Sequence, residues 1–254
     1  EEDIAGGYLL GRWQRRYRSG STWTFKSYYD YRTRDKYHLQ QHRRTFDLDF
    51  HHQFPVGTRH EVMWGLDYRA YDDDLDGKTY VLGFDPQESS SRVIGAFLQD
   101  EIALRPDLFL TLGTKLEDNE YTGTEHQPNA RLLWRATATD TLWAAVSRAV
   151  RTPARAHTDL RANVAAFPAD GLPGLVAVLP HEDLESVDVT AAELGYRGQV
   201  GPRTYLDVAL FYNEYENLYA IRDGAPFYEH APAPHLVFPL YGTESISGHT
   251  RGLE

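Results

Sequence analysis

The sequence predicts an all-β protein, an antiparallel up-and-down transmembrane β-barrel of which about 11 strands are present as part of a larger barrel. Three observations predict it. Polarity alternates with period 2 in segment after segment. The segments run to roughly 8–13 residues, near the ~9–11 a tilted strand needs to cross a bilayer. The connections between them are sorted by length, short then long.

The alternation is clearest in four places. Arg43 to Phe54 sets Phe46, Leu48, Phe50 and Phe54 against Thr45, Asp47, Asp49, His51 and Gln53. Arg59 to Tyr71 sets Val62, Trp64, Leu66, Tyr68 and Ala70 against Glu61, Gly65, Asp67 and Arg69. Leu108 to Asp118 sets Leu108, Leu110, Leu112 and Leu116 against Thr111, Gly113, Lys115 and Glu117. Tyr205 to Asn213 sets Leu206, Val208, Leu210 and Tyr212 against Tyr205, Asp207, Ala209 and Asn213. Further strands are expected at Gly6–Tyr17, Ser21–Tyr31, Arg92–Leu104, Asn129–Ala136, Thr141–Val150 and Glu185–Arg197, with another starting at Gly248.

Charged residues in mid-strand fit two architectures. In a soluble β-sandwich their face meets bulk water; in a membrane barrel it lines a wet lumen while the apolar face meets lipid. The connections separate the two. Arg18–Gly20, Pro55–Thr58, Arg105–Asp107, Thr137–Thr139 and Gly198–Pro202 read as tight turns. Between them lie longer loops at 32–42, 72–91, 119–127, 151–184 and 214–246. Short and long alternate throughout, so the short turns gather at one end of the sheet and the long loops at the other. A Greek-key sandwich has no reason to sort loops this way.

Composition sets outer limits. The chain has 254 residues and a mean hydropathy of -0.54, with no apolar run long enough for a membrane helix. It carries 17 Tyr, 11 Phe and 5 Trp, amphipathic rings suited to a membrane–water interface. The absence of Cys excludes disulfides and zinc–thiolate sites. A net charge of -11 argues against nucleic acid as a partner. The chain opens Glu1-Glu2-Asp3 without a basic and apolar leader, as expected of a processed chain or an internal piece.

Several runs resemble the TonB-dependent receptor family. Ala96 to Glu101 (AFLQDE) is similar to its "AFxQDE" strand, and Leu110-Thr111-Leu112-Gly113 to its "LTLG" strand. Asn129 to Trp134 resembles "PRLSLxW", Glu193 to Arg197 "ExGYR", Phe211-Tyr212-Asn213 "FYNxY", and Gly252-Leu253-Glu254 "GLE". The most specific run is Ser147 to Pro153, SRAVRTP, at the end of a strand. The runs keep family order from about residue 92 onward; residues 1–91 agree in pattern. The resemblance implies a Gram-negative outer-membrane location and a barrel domain over residues 1–254. It also implies TonB-driven uptake of a scarce nutrient such as a ferric siderophore, haem or another metal complex. A plug domain, which contacts the TonB energy-coupling protein, is not seen in this sequence. Outer-membrane lipid and lipopolysaccharide are the other expected partners. A passive porin-like channel and a soluble β-rich binding module are the rival readings. An enzyme is not expected, because no nucleophile, phosphate-loop or paired-carboxylate motif stands out. No cofactor is implied.

Candidate ligand-binding residues lie in the loops and the expected lumen. Arg32, Arg34, Arg148 and Arg151 suit carboxylate or phosphate on an anionic chelate. His38, His42, His126, His157, His230 and His235 suit a metal or metal chelate. Tyr71, Tyr228 and Tyr241 add aromatic surface. Asp72, Asp74 and Asp76 followed by Gly77 repeat the first half of a calcium-loop spacing. Its closing Glu is missing, since position 83 is Gly83, so a solvated acidic loop is the plainer reading.

Overall fold

A computed structural model describes residues 2–169, 171–181 and 184–254, with the side chains of 243–245 left aside. Positions 170, 182 and 183 of the long loop expected at 151–184 lie outside the described residues. The strands are β1 (Asp3–Arg16), β2 (Thr22–Asp35), β3 (Leu39–Val56), β4 (His60–Gly77), β5 (Leu82–Phe84), β6 (Glu88–Arg105), β7 (Leu108–Asn119), β8 (Gly123–Arg135), β9 (Thr141–Arg151), β10 (Leu160–Ala169), β11 (Leu172–Leu179), β12 (Val187–Gln199), β13 (Tyr205–Asp223), β14 (Phe227–Glu229) and β15 (His235–Leu253). One helical turn, α1 (Arg155–Thr158), lies between β9 and β10.

Among the described residues, the strands β1-β2-β3-β4-β6-β7-β8-β9-β12-β13-β15 form a curved wall in which each pairs antiparallel with its neighbour. This is the up-and-down order expected from the sequence. Register fixes the two faces. Phe50 opposes Leu66, Leu66 opposes Ala96, Ala96 opposes Leu116, and Leu112 opposes Ala130. Because side chains alternate along a strand, one apolar residue placed outward places its whole row outward.

The apolar face is uncovered. Leu66, Leu98, Leu112, Leu116, Leu132, Val146, Leu194 and Leu210 are all exposed. Among the described residues, buried apolar side chains such as Leu75, Ala177, Leu184, Val187, Val237 and Pro239 are at the long-loop end. A sandwich would have buried the leucine rows against a second sheet. Fully burying one such side chain is worth about 1.5–3 kcal/mol, and a continuous exposed band of them is the pattern of the lipid-facing surface of membrane β-barrels.

Tryptophan marks one edge of that band. Trp13, Trp23, Trp64 and Trp134 share the outer face by register, each within a few residues of a tight turn. Trp23 packs edge-on to Phe50 and His52, and the Trp64 indole N–H donates to His52 Nδ1 at 3.2 Å. An aromatic girdle in which the Trp64 and Trp134 indoles are hydrogen-bonded suits the bilayer interface. His52 is part of it, as an interfacial side chain.

Several expected loops are strand. β2 continues to Asp35, β3 begins at Leu39, β7 ends at Asn119 and β8 begins at Gly123. The loops expected at 32–42 and 119–127 are therefore tight turns at the tips of long strands. The second is held by Asn119, whose Oδ1 accepts the backbone N–H groups of Tyr121 and Thr122 at 3.0 and 2.9 Å. β4 likewise runs on to Gly77. β3, β4 and β6 have 18 residues each, well past the ~9–11 that cross a bilayer. Past the apolar band the hydrophobic alternation stops while the hydrogen-bond ladder continues.

The remaining long connections do leave the wall, and they build structure of their own. β10 pairs antiparallel with β11 and with β5, while β11 pairs in parallel with β15. The purely antiparallel expectation thus holds for the wall and not for the loop sheet. Parallel pairing is open to β11 because it arrives by a long crossover.

Candidate functional site

The inner face of the wall is polar along its length. Arg69 pairs with Asp47 at 2.8 Å, and Lys115 with Glu117 at 2.7 Å and Asp67 at 3.6 Å. Toward the loop end this face becomes basic. Arg32 stands opposite Arg43 in register, Arg34 is on the same face, and Arg43 lies over the Tyr71 ring at 4.9 Å. The nearest acid is Asp30, 3.7 Å from Arg32. Arg32, Arg34 and Tyr71 thus form one lumenal strip, as a site for anionic groups requires.

The other candidates separate. His42 shares the outer row of Phe46 and Leu48, and His126 the outer row of Leu112 and Leu116 through its register partner. They are corrections to the lumenal or loop placement: an even position in these strands points away from the lumen. Arg148 is held by Asp188 at 2.6 Å. Arg151 and His157 both pack on Tyr219, at 5.4 and 4.6 Å. His38 Nδ1 lies 2.9 Å from Thr79 Oγ1. Tyr228 packs edge-on to His230 at 4.7 Å, and the Tyr241 ring lies across Gly224.

The acidic run is also a correction. Asp72, Asp74 and Asp76 are in β4, on its outer row, opposite Arg44, His42 and Gln40. Strand geometry spaces alternate side chains along a line, whereas a calcium loop converges them on a point. Asp72 instead accepts from Ser90 at 2.7 Å and Asp74 from Gln87 at 2.9 Å. Among the described residues no group of three or more His, Asp or Glu side chains is arranged to hold a metal ion.

Three long connections, 78–87, 152–186 and 224–234, meet around one pocket of about 460 Å³. Its wall includes Leu82, Pro173, Leu175 and Pro232, with Arg161, Glu229 and His235 at one side. Arg161 grips Glu229 through two parallel bonds, Nη1 to Oε1 at 2.7 Å and Nη2 to Oε2 at 2.9 Å. These charge-assisted bonds hold the Glu229 carboxyl below the ordinary carboxylate range, against a smaller opposing effect of burial. His235 is buried, with Nδ1 2.7 Å from the Ala233 carbonyl oxygen and Nε2 3.1 Å from Glu229 Oε2.

His235 is the one sequence candidate inside this pocket. Arg161, Asn163 and Glu229 were not anticipated. Nothing local marks them, since the pair that defines the site is separated by 68 positions. Nor was Arg155, whose buried guanidinium reaches Asp159 at 2.8 Å and the Gln87 carbonyl at 2.6 Å and pins one loop to another.

Comparison with known families now decides the wall's identity. The model of the TonB dependent receptor-like beta-barrel matches residues 3–254. The chain belongs to the TonB-dependent receptor family. The siderophore receptor PirA from Pseudomonas aeruginosa superposes with a TM-score of 0.75 at 15% identity, over 100% of this chain and 46% of that one. PirA from Acinetobacter baumannii gives 0.75 at 12%, over 99% and 42%. The Serratia marcescens hemophore receptor HasR, solved with its hemophore HasA and heme, gives 0.75 at 14%, over 99% and 45%. The ferric enterobactin receptor PfeA gives 0.76 at 17%, over 100% and 41%. The chain spans less than half the length of these solved receptors. At such identities they share its fold. No curated protein matches it.

Proposed function

We propose that the chain supplies barrel wall and extracellular loops to an outer-membrane receptor that takes up a metal chelate by TonB-dependent transport. The observation that carries this reading is the sorting of the wall: an apolar outer band, a polar inner face with an Arg32–Arg34–Arg43 strip, and three long loops meeting at one pocket. A bilayer on the outside and a ligand path on the inside account for all three. Residues 1–254 act as one barrel domain in this reading. A ferric siderophore, haem or another metal complex is the cargo class, the kind of molecule named for the solved relatives. The tight-turn end faces the periplasm, and energy coupling belongs to a plug domain working with TonB. Lipid and lipopolysaccharide cover the outer face, the latter beside the polar strand tips. The role is transport and not catalysis.

The test is to refold the chain in buffer and in detergent and follow far-UV circular dichroism. Ferric catecholate and haemin are then titrated into the detergent sample, read by tryptophan fluorescence. The expected result is β-signal and saturable quenching in detergent alone, weakened by Arg32→Ala with Arg43→Ala. A monodisperse folded protein in plain buffer would overturn the membrane assignment. A folded detergent sample that binds no chelate would overturn the cargo class.

A further inference from the structure

Two arginines stand on the outer face of the wall, at the long-loop margin of the apolar band. Register places Arg92 opposite Ala70, Ala70 opposite Phe46 and Phe46 opposite Tyr29. One row farther from the band, Arg44 stands between Tyr31 and Asp72. Tyr29, Tyr31 and Phe46 are exposed, and they give this margin aromatic rings as the tryptophans do at the other. On the band side Leu66, Ile94 and Leu116 are exposed. Ala70 puts only a methyl group between Phe46 and Arg92, which leaves a shallow recess bordered by a cation and an apolar surface.

Both guanidinium groups are exposed, and among the described residues neither makes an ion pair or a hydrogen bond. The nearest acids in register are engaged elsewhere. Asp72, opposite Arg44, accepts from Ser90 Oγ at 2.7 Å. Asp118, opposite Ile94, accepts from Thr124 Oγ1 at 3.1 Å. Asp74 and Glu88 lie one row farther out with His42, and Asp74 accepts from Gln87 at 2.9 Å. Arg148, on the outer row of β9, differs in being held by Asp188 at 2.6 Å. Arg44 and Arg92 therefore present unspent forks of donors where the apolar surface ends, and a guanidinium fork matches phosphate geometry. A ligand that satisfies both features carries a phosphate at the margin and hydrocarbon on the band.

We infer that Arg44 and Arg92 seat a phosphate of lipopolysaccharide, with its acyl chains along Leu66, Ile94 and Leu116. This rests on the reading that the long-loop end is extracellular, and it deepens that reading by naming the residues that hold the glycolipid. The anionic cargo and the glycolipid are then served by separate arginines, Arg32, Arg34 and Arg43 on the inner face and Arg44 and Arg92 on the outer one.

The test uses the full chain refolded in detergent and native mass spectrometry of bound lipid. The probes are diphosphoryl lipid A, the same lipid with its phosphates removed, and phosphatidylglycerol. Diphosphoryl lipid A is expected to bind about tenfold more tightly than either of the others. Arg44→Gln with Arg92→Gln should remove that advantage. Arg15→Gln, on the outer row at the tight-turn end opposite Trp23, should leave it unchanged. Circular dichroism checks the fold of each variant, and the lipid comparison on the unaltered chain decides the matter even if the double variant does not refold. The inference is overturned if the dephosphorylated lipid or phosphatidylglycerol binds as tightly as diphosphoryl lipid A. It is overturned equally if the folded double variant keeps the advantage, or if Arg15→Gln loses it. A chain that folds in detergent and binds chelate alongside any of these results would keep the uptake reading and lose only this assignment.

Discussion

Arg155 Nη1 donates a hydrogen bond to the backbone carbonyl of Asp73 at 3.1 Å, across 82 positions of chain. The same guanidinium serves Gln87, Pro86 and Asp159 and lies over the Phe84 ring at 5.5 Å. A short segment after the family-like SRAVRTP run is thereby fastened to the tips of β4 and β6. Replacing Arg155 leaves buried carbonyl groups and the Asp159 carboxylate without their donor. Arg155→Met is expected to weaken loop docking by about 2–4 kcal/mol. Limited trypsin digestion in detergent should then cut at Arg151 and Arg161 faster, with the strand signal unchanged. Equal cleavage rates would show that the clamp does not hold the loop.

The two faces of β7 should answer differently to charge. Leu112 is on the outer row and Thr111 on the inner one. Leu112→Arg is expected to cost about 2–4 kcal/mol near the bilayer midplane, and Thr111→Arg about 1 kcal/mol or less. Urea titration of folding into lipid vesicles measures both. Equal costs would contradict the assigned faces.

Gly195 leaves room for a neighbour. It is opposite Trp143 in register, and a Cβ there would overlap the indole. Trp143 is also covered by the Arg131 guanidinium at 5.5 Å, so it has little freedom to retreat. Gly195→Ala is expected to destabilise the wall by about 1–3 kcal/mol. Trp143→Ala in the same chain should recover part of that loss. Thermal unfolding in detergent reads both changes.

Loop closure should depend on acidity through Glu229. Its folded-state pKa is depressed below 4.5, chiefly by the Arg161 bonds. A depressed carboxyl contributes stability that is complete above the unfolded value and lost as pH falls through the folded one. Hydrogen-exchange protection in the 224–234 loop, after correction for the intrinsic exchange rate, should therefore fall in a step as the pH drops below the ordinary carboxylate value and through the depressed Glu229 one. Glu229→Gln should have faster exchange at neutral pH and lack the step. A step of the same size in the variant would assign it to another group.

The legibility of this protein in its sequence changes at the membrane boundary. Within the bilayer, lipid on one side and water on the other impose period 2, and Leu108 to Asp118 or Arg59 to Tyr71 shows it without ambiguity. Past the boundary the constraint ends. Arg32, Arg34 and Asp72 to Gly77 read as loop, though the ladder carries β2 and β4 through them. The acidic run was misplaced for the same reason.

The sequence by itself determined the wall: eleven strands, their faces, and which end carries the long connections. Those properties come from repeated local alternation, and a strand pairs with its neighbour in the chain. Only the tertiary structure decided the site. Arg161 meets Glu229, β11 meets β15 in parallel, and His235 Nε2 comes within 3.1 Å of Glu229 Oε2. Each is a contact between loops distant in the chain, made by side chains in no repeating pattern. Their meeting depends on how the folded wall holds its ends together, which no local period records.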